Sequence, residues 1–301
     1  MSASDATTRC GFVAIVGAPN VGKSTLLNQL VGTKVSIVSP KVQTTRRRVL
    51  GITLQDQVQI VFVDTPGIFQ PDKRLERAMV HAAWQGADDA DVTLMVIDAK
   101  RALDANSRLV MDGLQARGRP CLLAINKLDA VKPPKTLPLI QQCQDTGLFE
   151  EIFLVSALTG DGCDALLDAI AARLPASPWL FPEDQLSDLS NRALAAELTR
   201  EQVFHRLHQE LPYSITVETE AWTESDAQVR IDQTIYVQRD SQKAIVLGHR
   251  GSMIKEIGQA ARVEIADAIG KPVHLFLFVK VREKWADDPE RYRELGLDFP
   301  S

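Results

Sequence analysis

The 301-residue sequence predicts an α/β chain in two parts: a doubly wound mixed sheet over residues 1–174, then a smaller α+β domain over 191–301, joined by a linker at 175–190. Three observations carry this expectation. Short apolar runs recur at wide intervals between helix-forming stretches, as strands with crossover helices require. Gly17-Ala-Pro-Asn-Val-Gly-Lys-Ser24 completes the pattern GxxxxGK[ST] directly behind one such run, Phe12 to Val16. Pro175, Pro178 and Pro182, with polar residues between them, interrupt the pattern before a second set of elements begins.

In chain order the first strand is Phe12 to Val16 and the first helix opens at Ser24-Thr-Leu-Leu-Asn-Gln-Leu. The loop between them is a phosphate loop, which makes Gly17, Ala18, Pro19, Asn20, Val21, Gly22, Lys23, Ser24 and Thr25 candidates for binding a nucleoside triphosphate. Its glycines let successive N–H groups turn inward on phosphate oxygens. Lys23 adds a point charge near the β and γ positions, and the Ser24 hydroxyl can ligate Mg²⁺. Gln43-Thr44-Thr45-Arg46 then offers a threonine hydroxyl for Mg²⁺, Thr45 in preference to Thr44, in a segment that a triphosphate can order. Arg46, Arg47 and Arg48 read either as a solvated charge run or as a contact with phosphate or RNA.

Val49 to Leu54 and Val58 to Asp64, joined by a tight polar turn, form the expected antiparallel pair. Asp64-Thr65-Pro66-Gly67 at its end is DxxG: Asp64 would hold Mg²⁺ directly or through water, and the Gly67 N–H would bond the γ-phosphate. Lys23, Thr45 and Gly67 are therefore the candidate catalytic residues. Thr93 to Asp98, Cys121 to Ile125 and Ile152 to Val155 complete the sheet, placing the loops at one rim where ligands gather. Asn126-Lys127-Leu128-Asp129 is NKxD, behind the fifth strand. Asp129 can accept from guanine N1–H and the exocyclic amine, the Asn126 amide can reach N7, and the Lys127 stem can lie across the ring. Adenine would leave that carboxylate unpaired, a cost of about 1–3 kcal/mol or more. Ser156-Ala157-Leu158 supplies a backbone N–H for the guanine O6.

The second part opens with an amphipathic stretch, Asn191 to Leu207, and two alternating strands, Ser214 to Thr223 and Gln228 to Val237. Gly248-His249-Arg250-Gly251 then forms a GxxG loop leading into a helix, Met253 to Ala268, and a strand, Val273 to Val281. Two glycines let a loop backbone approach a sugar-phosphate chain closely, so Gly248, His249, Arg250, Gly251 and Lys255 are candidate RNA contacts. From Phe181 to Ser301 the net charge is −6, which argues against a broad nucleic-acid surface; from Lys243 to Lys284, however, 8 basic residues face 4 acidic ones. A local patch suffices for a short single strand. Trp285 reads as a base-stacking residue or, more simply, as packing on the last helix.

With all these motifs in order, the chain resembles the translation-factor-related GTPases. GAPNVGKS, QTTR, DTPG, NKLD and SAL together are similar to the Era subfamily, and the α-β-β-α-α-β pattern around GxxG resembles a type II K-homology (KH) domain, so that the resemblance covers nearly the whole chain. It implies a P-loop GTPase sheet with one antiparallel strand, GTP and GDP as ligands with Mg²⁺, and GTP hydrolysis. It also implies binding of the 3′ region of 16S ribosomal RNA in assembly of the small (30S) subunit. Related enzymes often orient the attacking water with a Gln after the DxxG glycine; here that place is Ile68, so unaided turnover is expected to be slow. Asn20 is the residue type through which similar GTPases bind K⁺, which makes K⁺ a further expected cofactor. The alternative is a signalling or membrane-associated GTPase whose second domain binds protein or lipid.

Composition, at 45% hydrophobic, agrees with two domains that each hold a core. No apolar run approaches the roughly 18 residues needed to span a bilayer, and the first eight residues lack a signal-peptide pattern. The expectation is a monomeric cytoplasmic protein, with peripheral association at the inner membrane left open. Cys10, Cys121, Cys143 and Cys163 are too widely spaced for a CxxC site and read as reduced thiols. His205 and His208, three apart on one helix, read as surface or packing residues rather than metal ligands.

Overall fold

The structure, a computed structural model, describes residues 8–299 apart from 42–43, 133, 135, 208–210, 212–214, 284–288 and 295. It comprises two compact units: Met1–Ser36, Thr45–Asp188 and Leu295–Ser301 form the first, Ile37–Thr44 and Leu189–Glu294 the second.

In the first unit β1 (Arg9–Val16), β2 (Val49–Gln55), β3 (Val58–Asp64), β4 (Val92–Asp98), β5 (Cys121–Asn126) and β6 (Phe149–Leu154) form one sheet of order β2-β3-β1-β4-β5-β6. Among these six strands β2 and β3 pair antiparallel and the other neighbours pair parallel. A parallel strand covered on both faces is a continuous apolar run, and every residue of β4 is buried. Alternate side chains of β1 divide between two cores. Val13 and Ile15 pack with α1 (Lys23–Val31) and α5 (Cys163–Ala171); Ala14 and Val16 pack with α2 (Arg74–Asp89), α3 (Ala105–Arg117) and α4 (Leu137–Gln144). This is the doubly wound sheet expected from the sequence. Because β1 lies between β3 and β4, the chain reverses its direction of winding there, and the ends of these strands share a rim.

Residues 175–188, read from the sequence as linker, lie along the first unit. Arg9 pairs with Ala176 and Gly51 with Ser187 in antiparallel bridges, and the Ile52 N–H donates to the Leu186 carbonyl at 2.9 Å. Trp179 and Phe181 pack over Cys10, Leu50, Ile52, Val61 and Val63, an apolar face that would otherwise meet water. The segment thus also shields the edge strand β2.

The second unit contains α6 (Asn191–Arg206), β7 (Thr216–Glu224), β8 (Val229–Val237), α7 (Asp240–Leu247), α8 (Ser252–Ile269), β9 (Val273–Val281) and α9 (Pro289–Glu294). Its sheet has the order β7-β8-β9, with β7 antiparallel and β9 parallel to β8. Ile231 and Ile235 bury one face of that sheet with residues of α6 and α8. Ile37 joins this core, 2% exposed, beside Ala195, Leu198 and Ala261. Ser214, the predicted start of β7, and Trp285 lie outside the described residues. No helix among the described residues is long and apolar enough to cross a membrane.

Candidate functional site

The phosphate loop joins β1 to α1. Gly22 takes φ 98°, and a Cβ there would meet Asn126 Nδ2 at 2.3 Å, so both backbone and space demand glycine. Asn20 is also left-handed, at φ 63°. Lys23 is buried, and its Nζ donates to the Gly17 and Ala18 carbonyls, each at 3.1 Å. Burial pushes its pKa down to about 8, with the nearby Asp64 carboxylate opposing the shift. Thr25 follows on the first turn of α1.

Asp64, at the end of β3, is fully buried. Its Oδ2 accepts from Ser24 Oγ at 2.7 Å, Ser36 Oγ at 2.9 Å and Thr45 Oγ1 at 3.4 Å, and the Ser24 and Thr45 hydroxyls are 2.9 Å apart. Its Oδ1 is buried without a hydrogen-bond partner. Burial raises the Asp64 pKa, against the Lys23 charge and the three hydroxyls. A buried carboxylate with one orphan oxygen and hydroxyls alongside is a hard-oxygen donor set that fits Mg²⁺. Ser24, Thr45 and Asp64 would hold the ion, directly or through water, and it would neutralise phosphate charge.

Of the two threonines the structure turns Thr45 toward Asp64, whereas Thr44 Oγ1 bonds Ser39 Oγ at 2.6 Å and the Lys41 carbonyl at 2.8 Å. Gln43 lies outside the described residues. The arginine run divides: Arg46 is 2% exposed, while Arg48 is exposed with its guanidinium 6.0 Å from the Phe12 ring centroid. After Asp64, Thr65 Oγ1 donates to the Ile15 carbonyl at 2.8 Å. Pro66 leads to Gly67, where a Cβ would lie 2.9 Å from Pro19 Cα. The Ile68 N–H donates to the Gly17 carbonyl at 3.1 Å, and its side chain is 1% exposed within the core. That side chain offers no hydrogen-bonding group with which to orient a water.

The base loops converge on Asn126. Its Nδ2 donates to the Val21 carbonyl at 3.0 Å, and its Oδ1 accepts from the Lys127 N–H at 2.8 Å and the Ala157 N–H at 2.9 Å. The side chain that the motif aims at N7 thus also ties three loops together. Lys127 Nζ donates to the Asn20 carbonyl at 2.6 Å and to Asp98 Oδ2 at 2.8 Å. Asp129 Oδ1 accepts from Ser156 Oγ at 2.6 Å, which joins the NKxD loop to the Ser156–Leu158 loop. The Ala157 N–H is drawn to Asn126, and Leu158, the next residue of that loop, is exposed.

Three contributors escaped the sequence reading: Ser36, Asn28 and Asp98. Asn28 Oδ1 accepts from the Val35 and Ser36 N–H groups and its Nδ2 donates to the Ser36 carbonyl, which aims Ser36 at Asp64. No local motif marks such residues: Asn28 lies within α1, Ser36 between α1 and β2, and Asp98 at the end of β4.

In the second unit the GxxG loop lies between α7 and α8. Gly248 takes φ 72°, and a Cβ there would lie 2.7 Å from Met253 N. Arg250 is left-handed at φ 50°, and Gly251 at φ 79° starts α8. His249, Arg250 and Lys255 are exposed. Beside them Ile254, Lys255, Gly258, Arg262, Phe276 and Leu277 line an open cavity of about 470 Å³. Its lining puts apolar Ile254, Phe276 and Leu277 beside basic Lys255 and Arg262, side-chain types suited to splayed bases, and residues 248–251 are not part of it.

The four cysteines are free and buried, and burial pushes the Cys121 thiol up to about 12 and those of Cys143 and Cys163 up to about 11. His205 is exposed and His208 lies outside the described residues. Among the described residues no group of three or more His, Cys, Asp and Glu side chains is placed to hold a metal ion.

Comparison with known proteins follows the same division of the chain. The family model described as 50S ribosome-binding GTPase matches residues 12–127, and the KH domain model matches residues 210–286. The GTPase Era of Mesorhizobium japonicum is 59% identical over 300 residues, spanning 99% of this chain and 97% of that protein. The GTPase Era of Brucella suis is 56% identical over 295 residues, spanning 98% and 95%. Two solved structures each superpose with TM-score 0.91 at 42% identity, covering 96% of this chain and 99% of theirs. One is an Aquifex aeolicus Era variant bound to GDP and AlF4⁻; the other is Era in complex with MgGDPNP and nucleotides 1506–1542 of 16S ribosomal RNA.

Proposed function

The chain belongs to the Era family of GTPases, and from that membership we propose that it is a GTP-hydrolysing switch that binds the 3′ region of 16S ribosomal RNA and assists assembly of the small ribosomal subunit. One observation carries the reading: the guanine-nucleotide motifs, brought together at one rim of the sheet, and a GxxG loop between two helices occur on one chain. Lys23, the phosphate-loop amides and the Gly67 N–H hold the phosphates and offset charge on the transferred group, while Asn126, Lys127, Asp129 and the Ser156–Leu158 loop select guanine.

The segment before Thr45 supports a nucleotide-gated switch. Ser36 and Thr45 both bond Asp64, yet residues 37–44 between them belong to the second unit. There the Val38 N–H donates to Glu201 Oε1 at 2.7 Å and Arg200 Nη2 to the Thr44 carbonyl at 2.6 Å. Lys41 Nζ bonds the Phe204 and Leu207 carbonyls at the end of α6. Rearrangement of Thr45 on triphosphate binding therefore pulls on α6 through a short, anchored piece of chain.

The test is affinity for single-stranded RNA ending in the small-subunit 3′ sequence, in GTP-analogue and GDP states at fixed salt. Binding that changes with nucleotide and is lost in Gly248→Asp, with GTPase activity retained, is the expected result. Unchanged RNA affinity in Gly248→Asp would return the loop to a packing turn and favour a protein- or lipid-binding second domain. K⁺ completes the proposal, because Asn20 carries the residue type and Ile68 supplies no group to orient water. Equal turnover in K⁺ and Na⁺ buffers would remove it.

A further inference from the structure

Asp98, the last residue of β4, is 3% exposed, and its charge is directed at the nucleotide loops rather than into the core. Its Oδ2 lies 2.8 Å from Lys127 Nζ and 3.9 Å from Arg101 Nε, and its Oδ1 accepts from the Lys100 N–H at 2.8 Å. Each of those cations reaches one carbonyl of the phosphate loop: Lys127 Nζ to Asn20 at 2.6 Å, Arg101 Nη1 to Pro19 at 3.2 Å. Lys127 itself starts from a left-handed backbone, φ 67°, that sends its side chain back over the loop.

We propose that Asp98 is a positioning residue for guanine nucleotide, fixing the Lys127 ammonium against Asn20 so that the lysine stem is laid out as a platform before the base arrives. A flexible lysine stem that must be ordered on binding draws that ordering from the binding free energy, and a charge-assisted hydrogen bond made beforehand removes the loss. The carboxylate is nearly dry, so its pairing with Lys127 is screened less than a surface pair. The inference rests on guanine recognition by Asn126–Asp129; a wild-type protein that failed to bind GDP would defeat that reading, whereas the tests below address Asp98 alone.

Asp98→Asn keeps an acceptor for the Lys100 N–H and removes the charge. With fluorescent GDP, the expected result is release faster by about tenfold, with KM for GTP rising by a similar factor and kcat moving much less. In the Lys127→Ala background the same substitution should add nothing, because the two residues act as one unit. Additive losses, unchanged release, tighter binding, or a fall in kcat as large as the rise in KM would each overturn the proposal. Lys127→Met gives an arm independent of whether Asp98 variants fold: it keeps an apolar stem without the ammonium, and GDP release as slow as wild type would equally overturn it.

Discussion

Lys23 shows how one residue's surroundings set a measurable property. Its ammonium is buried against two carbonyls, and burial brings the pKa to about 8. Bound phosphates favour the charged form, so nucleotide binding raises the pKa and takes up a proton above that point. Affinity for GDP should be flat below pH 8 and weaken as pH rises beyond it, by up to about tenfold per unit, when followed by titration calorimetry. A Lys23→Arg variant, charged throughout, should lose that slope. Asn126 supports a second prediction. Removing its amide leaves the Val21 carbonyl and the Lys127 and Ala157 N–H groups without their partner. At about 1–3 kcal/mol for each buried group left unpaired, Asn126→Ala should weaken GDP binding by a hundredfold or more. The motif announces Asn126 through its neighbours in sequence. Its task as a junction was not legible, because Val21 and Ala157 lie 105 and 31 residues away and no local pattern records them. Asp98 was hidden for the same reason, since it ends a strand and belongs to no motif.

At the scale of elements, strands and helices were legible wherever periodicity had one cause. The predicted strand Val273 to Val281 is β9 residue for residue, and the helix Met253 to Ala268 differs from α8 by one residue at each end. The path of residues 175–188 was not legible, because prolines report that a helix stops and say nothing of what the chain then covers. Gln59 decides that path. It is 0% exposed, its Oε1 accepts from the Leu180 and Phe181 N–H groups at 2.9 and 3.0 Å, and its Nε2 donates to the Phe181 carbonyl at 2.8 Å. Gln59→Leu would strand those backbone groups beside the sheet and should lower unfolding free energy by about 2–4 kcal/mol. Denaturant titration measures the loss, and proteolysis should find its first cut in 175–188.

For the molecule as a whole, each unit carries its own core, and the piece of chain that serves both is short. Ile37 is the side chain by which residues 37–44 enter the second core. Truncating it to Ala weakens that anchorage while leaving Lys23, Asp64 and Asn126 untouched. RNA affinity in Ile37→Ala should then respond much less to exchange of GDP for a GTP analogue, as a paired titration would show; a full response would place the coupling elsewhere. The hydroxyls of Ser36 and Thr45, on either side of this piece of chain, come to rest on a single oxygen of Asp64. Mg²⁺ would compete for the very atom on which both hydroxyls rest, so the two ends of the segment are released or held by one event, and arrival of the metal should change the Ser36 and Thr45 amides at one shared midpoint.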